Sequence, residues 1–238
     1  MKRRSLAAVA ALAGLFASSF AQAAHRYVCV SLVSDELTYV GAPEGVTGTL
    51  HARGSSKVLP LNGAPFDRTV LEALAGSVPK RQPSATLSFL AMSSPAAFAH
   101  QEDWFDGDKV TLPAALRDAV AKEGAGELLL VTKIRGEAAI ADGTTRLGAG
   151  KLTGLGFYID TFTPMVDPQI GDIKGYIAPY VYVKLSVIDL ATSTVTAHQV
   201  IQAAKPYTSL KAQQMMDALQ TMVVDAVDDS VQRALKPD

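Results

Sequence analysis

Residues 111–134, TLPAALRDAVAKEGAGELLLVTKI, decide the fold. Leu112, Leu116 and Val120 fall on one face of a helix predicted from Thr111 to Glu123. Pro113 sits in its first turn, where a missing amide is tolerated. Gly124-Ala-Gly126 stops the helix, and Glu127 to Ile134 follows with four consecutive apolar residues, Leu128 to Val131. An unbroken apolar run after a glycine stop is the pattern of a strand covered on both faces. The stretch predicts an α/β fold, with α+β as the variant: a mixed central sheet, this strand at its centre, and helices packed on it.

Upstream, Tyr27 to Val33 reads as the first strand. Short strands are expected at Val46 to Ala52 and Lys57 to Leu61, joined as a hairpin through Arg53 to Ser56. A helix is expected to be N-capped by Asp67, stapled by Phe66 and Leu71, and ended by Gly76 and Pro79. Ser84 to Met92 reads as another strand. Downstream, Asp142-Gly143 signals a hairpin turn. The region around 136–178 is a glycine-rich insertion, with Gly148, Gly150, Gly154 and Gly156 on one side of a strand. A glycine-faced strand admits close approach by a backbone, ligand or partner. Tyr180 to Asp189 alternates, with Val181, Val183, Leu185 and Val187 inward and Tyr182, Lys184 and Ser186 outward, and Val195 to Ala203 returns antiparallel to it. A long one-faced helix from about Ser209 to Leu235 closes the chain.

The first 23 residues read as a signal peptide: Lys2, Arg3 and Arg4, an apolar core from Leu6 to Phe16, and Ala21-Gln22-Ala23 as the cleavage signal. The expectation is therefore a periplasmic protein, cleaved near Ala23, with residues 24–238 as a single α/β domain. No later stretch is long and apolar enough to read as a membrane helix. Without the leader, 19 basic residues face 23 acidic ones, net −4, which argues against a nucleic-acid partner. Cys29 is the only cysteine, which precludes an internal disulfide, and it reads as a thiol buried in a strand.

Catalytic and cofactor motifs are missing: no Gly-x-Ser-x-Gly, no His-Glu-x-x-His, no paired cysteines, and four histidines scattered singly. Gly150-Lys151 lacks the remainder of a phosphate loop. Ser93 to Asp108 is a polar loop whose acidic residues do not keep calcium-loop spacing. The reading assigns no catalytic residue, cofactor or metal, and leans away from an enzyme. It expects Trp104, Phe157 and Tyr158 to present an aromatic recognition face to an envelope protein or surface component, with a homo-oligomer as one form of partner. The alternative is a small-ligand binder or hydrolase built from His100, Asp103, Asp106 and Lys133.

The order strand, helix, strand, helix, Gly124-Ala-Gly126, apolar strand, hairpin with Val187-Ile-Asp-Leu190, long helix resembles a known α/β domain. It is the domain shared by the curli secretion channel family, the outer-membrane activators of penicillin-binding proteins and the amino-terminal domain of TolB. The resemblance spans residues 25–33 and 66–236; it implies an envelope protein and points to no catalytic residue. Relatives of this kind are often lipid-anchored, whereas this chain has no lipid-attachment cysteine. The curli family inserts hairpins to build a pore, and the stretch 143–178 lies where such a hairpin would be. A membrane hairpin wants about 9–11 alternating residues per arm, and Pro164, Pro168 and Pro179 break that alternation.

Overall fold

The computed structural model describes residues 25–42, 55–167, 171–209 and 211–238. The leader and the strand expected at Val46 to Ala52 lie outside the described residues. The fold is α/β: a mixed sheet with three helices, the last long and carboxyl-terminal.

Three parallel strands form one side of the sheet: β1 (Arg26–Leu32), then β4 (Thr86–Leu90) and β7 (Glu127–Lys133) flanking it. Between β1 and β4 the chain makes β2 (Glu36–Gly41), β3 (Ser56–Pro60) and α1 (Pro65–Arg81). Between β4 and β7 it makes 3-10 turns at Pro95–Ala97 and Gln101–Trp104, the two-residue strands β5 (Phe105–Asp106) and β6 (Lys109–Val110), and α2 (Ala114–Lys122). After β7 come β8 (Arg135–Glu137), a small hairpin of β9 (Ala141–Asp142) and β10 (Thr145–Arg146), and the long strands β11 (Lys151–Asp167) and β12 (Gly171–Asp189). Then β13 (Thr194–Ala204) and α3 (Ala212–Ala234) complete the chain.

β12 is the spine that joins the two halves. Its carboxyl half pairs antiparallel with β7 and with β13, and its amino half pairs with β11. β7 lies between β1 and β12, as expected of a strand with apolar residues on both faces, and Leu128 to Val131 are all buried. One core layer lies under α1 and α3 and includes Cys29, Val70, Leu74, Val131, Phe157 and Val223. A second lies on the opposite face, where Val30, Leu32, Trp104, Leu116, Val120 and Leu130 meet. A smaller cluster is built on Tyr158, Tyr176, Tyr180 and Tyr182 beneath Ala138 and Ile140.

Several local expectations are corrected. β3 pairs antiparallel with β2, a partnership not expected from the sequence. α1 runs through Gly76 and Pro79 to Arg81, because Leu74, Ser77 and Val78 dock it firmly into the core and Gln82 closes it by donating to the Val78 carbonyl. Asp67 is not the cap. The N-cap is Ala64, in a left-handed conformation with φ 46°, and the Phe66 amide is satisfied from another element, by Ser34 Oγ at 3.0 Å. Along β12, Tyr182 and Ser186 are as buried as Val181 and Leu185, because both faces of that strand are covered.

Candidate functional site

The three parallel strands end together, and in open α/β sheets the carboxyl ends are where ligands are held. Here the end of β1 is fastened from every side. Asp67, in the first turn of α1, reaches across to it: Oδ1 accepts from Ser31 Oγ at 2.6 Å and from the Val33 amide at 2.8 Å. Its Oδ2 has no hydrogen-bond partner and the residue is 7% exposed. Burial outweighs the two bonds and pushes the carboxyl up to about 6.

On the other side, β1 and β7 pair as far as Leu32 and Thr132. Beyond that the ladder would stop, leaving the Leu32 carbonyl and the Lys133 amide unmatched. The side chain of Gln101 supplies the missing rung. Its Nε2 donates to Leu32 O at 2.8 Å and to Phe98 O at 3.2 Å, and its Oε1 accepts from Lys133 N at 2.8 Å. A carboxamide is the side chain with both a donor and an acceptor suited to this task. Lys133 itself pairs with Asp35, at 2.7 Å to Oδ1, and reaches Glu36 at 3.4 Å.

Two clefts flank this fastened centre. A cleft of about 830 Å³ lies between α1 and the end of β4, with Leu71, Phe89 and Met92 as its apolar wall and Asp67, Thr69 and Gln220 as its polar one. A second, of about 610 Å³, lies beyond β7 and is lined by His100, Glu102, Thr132, Arg135, Thr153 and Lys184. Lys184 extends over the Phe105 ring, its Nζ 3.3 Å from the centroid, and burial lowers its basicity.

The residues singled out from sequence are distributed differently from expectation. Trp104 is 7% exposed and packs in the second core layer, Phe157 lies against Tyr39, and Tyr158 accepts a bond from the Ala149 amide within the tyrosine cluster. None of the three offers an exposed aromatic face. The glycine face is likewise used internally. A side chain at Gly156 would collide with the Thr38 carbonyl and the Tyr180 hydroxyl, so the close approach is that of β2 to β11. His100 Nδ1 stands 3.8 Å from Asp103 Oδ2, beyond hydrogen-bond reach, with both side chains in solvent, and Asp106 is exposed on β5. Only His100 and Lys133 of the weaker candidates border the second cleft. Asp67, Gln101, Thr132 and Lys184 were missed as site residues. The one signal for Lys184 was a lone cation among Val183, Leu185 and Val187, and it reads equally well as solvent-facing.

A further surface stands apart from the clefts. Among the described residues, β11 pairs with β2 over Gly156–Ile159 and β12 pairs with β13 from Tyr180 onward. The distal ladder, Pro164–Asp167 against Gly171–Lys174, pairs with no other described strand. It carries Val166, 72% exposed, and Phe162 in the irregular step just before it is 54% exposed. The register shifts between Asp160 and Pro164, where Asp160 accepts from the Phe162 and Thr163 amides at 2.7 Å each.

No protein-family model matches the chain, and no curated protein matches it. Among solved structures, it is similar to protein XCC0632 from Xanthomonas campestris, described under family DUF330, at 8% identity over 87% of this chain and 81% of that one, TM-score 0.38. A neuraminyllactose-binding hemagglutinin homolog from Helicobacter pylori matches at 8% identity over 86% and 82%, TM-score 0.39. A PelC dodecamer from Paraburkholderia phytofirmans matches at 9% identity over 89% and 90%, TM-score 0.34. At such identities and TM-scores the likeness assigns neither family nor activity.

Proposed function

We propose that the protein is an exported, non-enzymatic binding or assembly module of the cell envelope. It engages its partner, another envelope protein or a second copy of itself, through the distal part of the β11–β12 hairpin. The observation that carries this reading is that the distal ladder pairs with no other described strand and that two large apolar side chains, Val166 on it and Phe162 beside it, are turned to solvent. A strand pair without neighbours gains by pairing or by burying such residues against another surface. The secretory leader read at residues 1–23 supports an envelope location. The kinship with the curli-channel and penicillin-binding-protein-activator domains belongs to the same proposal. The alternative of a hydrolase in the 100–108 loop has no hydrogen-bonded acid–base pair to work with, since His100 and Asp103 stand apart in solvent.

The test is crosslinking in intact envelopes, with light scattering of the purified protein, for the wild type and a Phe162→Ser/Val166→Ser variant. Both substitutions are at exposed positions and should shift stability by no more than about 0.5 kcal/mol each. A discrete crosslinked species or defined oligomer should form with the wild type and disappear in the variant. Persistence of that species in the variant would refute the assignment to the hairpin.

A further inference from the structure

The second cleft, beyond β7, combines features that nothing in the proposed binding role uses. Lys184 and Thr132 are directly opposite each other on β12 and β7, and Arg135 and Thr153 are directly opposite on β8 and β11. Directly opposed residues in an antiparallel pair hold their Cβ atoms about 5 Å apart. Two cation–hydroxyl pairs, three residues apart along the chain at Thr132 and Arg135, therefore border one cavity of about 610 Å³. Thr132 is 1% exposed, and its hydroxyl has no hydrogen-bond partner.

The charges in the cleft are not balanced from within. Lys133 is neutralised by Asp35 and Glu36. Among the described residues, no carboxylate stands within ion-pair distance of Lys184 or Arg135. Glu102 borders the cleft but is exposed, where water screens its charge. Lys184 is the unusual member. Its ammonium is half-buried and held by a ring face alone. A cation taken out of water without an anionic partner is costly, and a bound anion removes that cost.

We propose that this cleft is a binding site for a small oxyanionic ligand, a carboxylate or a phosphate ester. The oxyanion lies between Lys184 Nζ and the Arg135 guanidinium, with the Thr132 and Thr153 hydroxyls as its neutral donors. Guanidinium forks suit both carboxylate and phosphate, and lysine adds a point charge. The site lies at the carboxyl end of β7, beside the crevice that Gln101 closes, so binding there leaves the β1–β7 junction intact.

The test is a chemical-shift titration of the purified protein with inorganic phosphate and, separately, with acetate, at constant ionic strength against chloride. Saturable shifts at Thr132, Lys133 and Thr153 with one or both probes support the site, and the stronger probe identifies the source chemistry. Lys184→Met keeps the side-chain stem on Phe105 while removing the charge, and should weaken that binding about tenfold or more. Arg135→Gln, at an exposed position, provides a second variant with the same expectation should Lys184→Met fail to fold. Shifts that chloride reproduces, no saturation with either probe, or wild-type affinity in a folded variant would overturn the proposal.

Discussion

Asp67→Asn should remove one pH-dependent contribution to stability and replace it with a pH-independent one. In the native protein the carboxyl is raised from 3.8 to about 6, so the folded state holds this proton more tightly than the unfolded chain does. For an acid shifted upward, the favourable contribution is complete below the unfolded value and is lost as pH rises through the folded one. The window is therefore about pH 4 to 6, and acidification across it stabilises. Two pH units at about 1.4 kcal/mol each give a loss of about 3 kcal/mol on going from pH 4 to neutrality. Asparagine keeps the acceptor that takes Ser31 Oγ and the Val33 amide, but places an amide group where Oδ2 already lacks a partner. That orphaned group costs roughly 1–3 kcal/mol at every pH. The variant should thus be less stable than wild type at pH 4, and equal or more stable at pH 7 to 8. Urea unfolding of both proteins across this range, compared as a difference, isolates Asp67 from every other titrating group. A difference that stays constant with pH, or that grows in favour of wild type as pH rises, would refute the reasoning.

Two further substitutions probe the same architecture. Gln101→Ala removes the extra rung between β1 and β7 and leaves the Leu32 carbonyl and Lys133 amide unpaired, which should cost about 2–4 kcal/mol in denaturant unfolding and speed hydrogen exchange at Lys133. Trp104→Ala should cost about 3–5 kcal/mol because the ring packs against Phe98 and Val110 in a closed core, whereas a surface anchor would show almost no change in melting temperature.

The core scaffold was readable because its signals are local. The helix, glycine stop and apolar strand of residues 111–134 became α2 and β7, and the one-faced apolar spacing of Leu219, Val223 and Val227 became α3. What escaped depends on partners distant in sequence. Asp67 has the chemistry of a cap, but its acceptor is taken by Ser31 and Val33, an attachment that competes successfully with the helix's own amides. Trp104 sits in a polar stretch, and only the 3-10 turn at Gln101–Trp104 folds it inward while Glu102 and Asp103 stay in solvent. Gly156 signalled close approach correctly and said nothing of the approaching group, which is the backbone of a strand from the start of the chain. Lys184 followed a period-two pattern whose polar side was assumed wet, while Tyr182 and Ser186 beside it are fully enclosed.

The pairing of β2 with β11 also orders events in time. Val40 lies opposite Tyr158, so β2 waits for a partner that appears more than about a hundred residues later in the chain. Contacts of such long range are slow to form, because the intervening loop must be closed before any pairing is rewarded. β2 and β3 can pair with each other early, but they join the main sheet only once β11 is made, and β11 is joined to β7 through β12. The Gly156 seam is thus a join between the start of the chain and its second half, and a side chain there would keep the two apart.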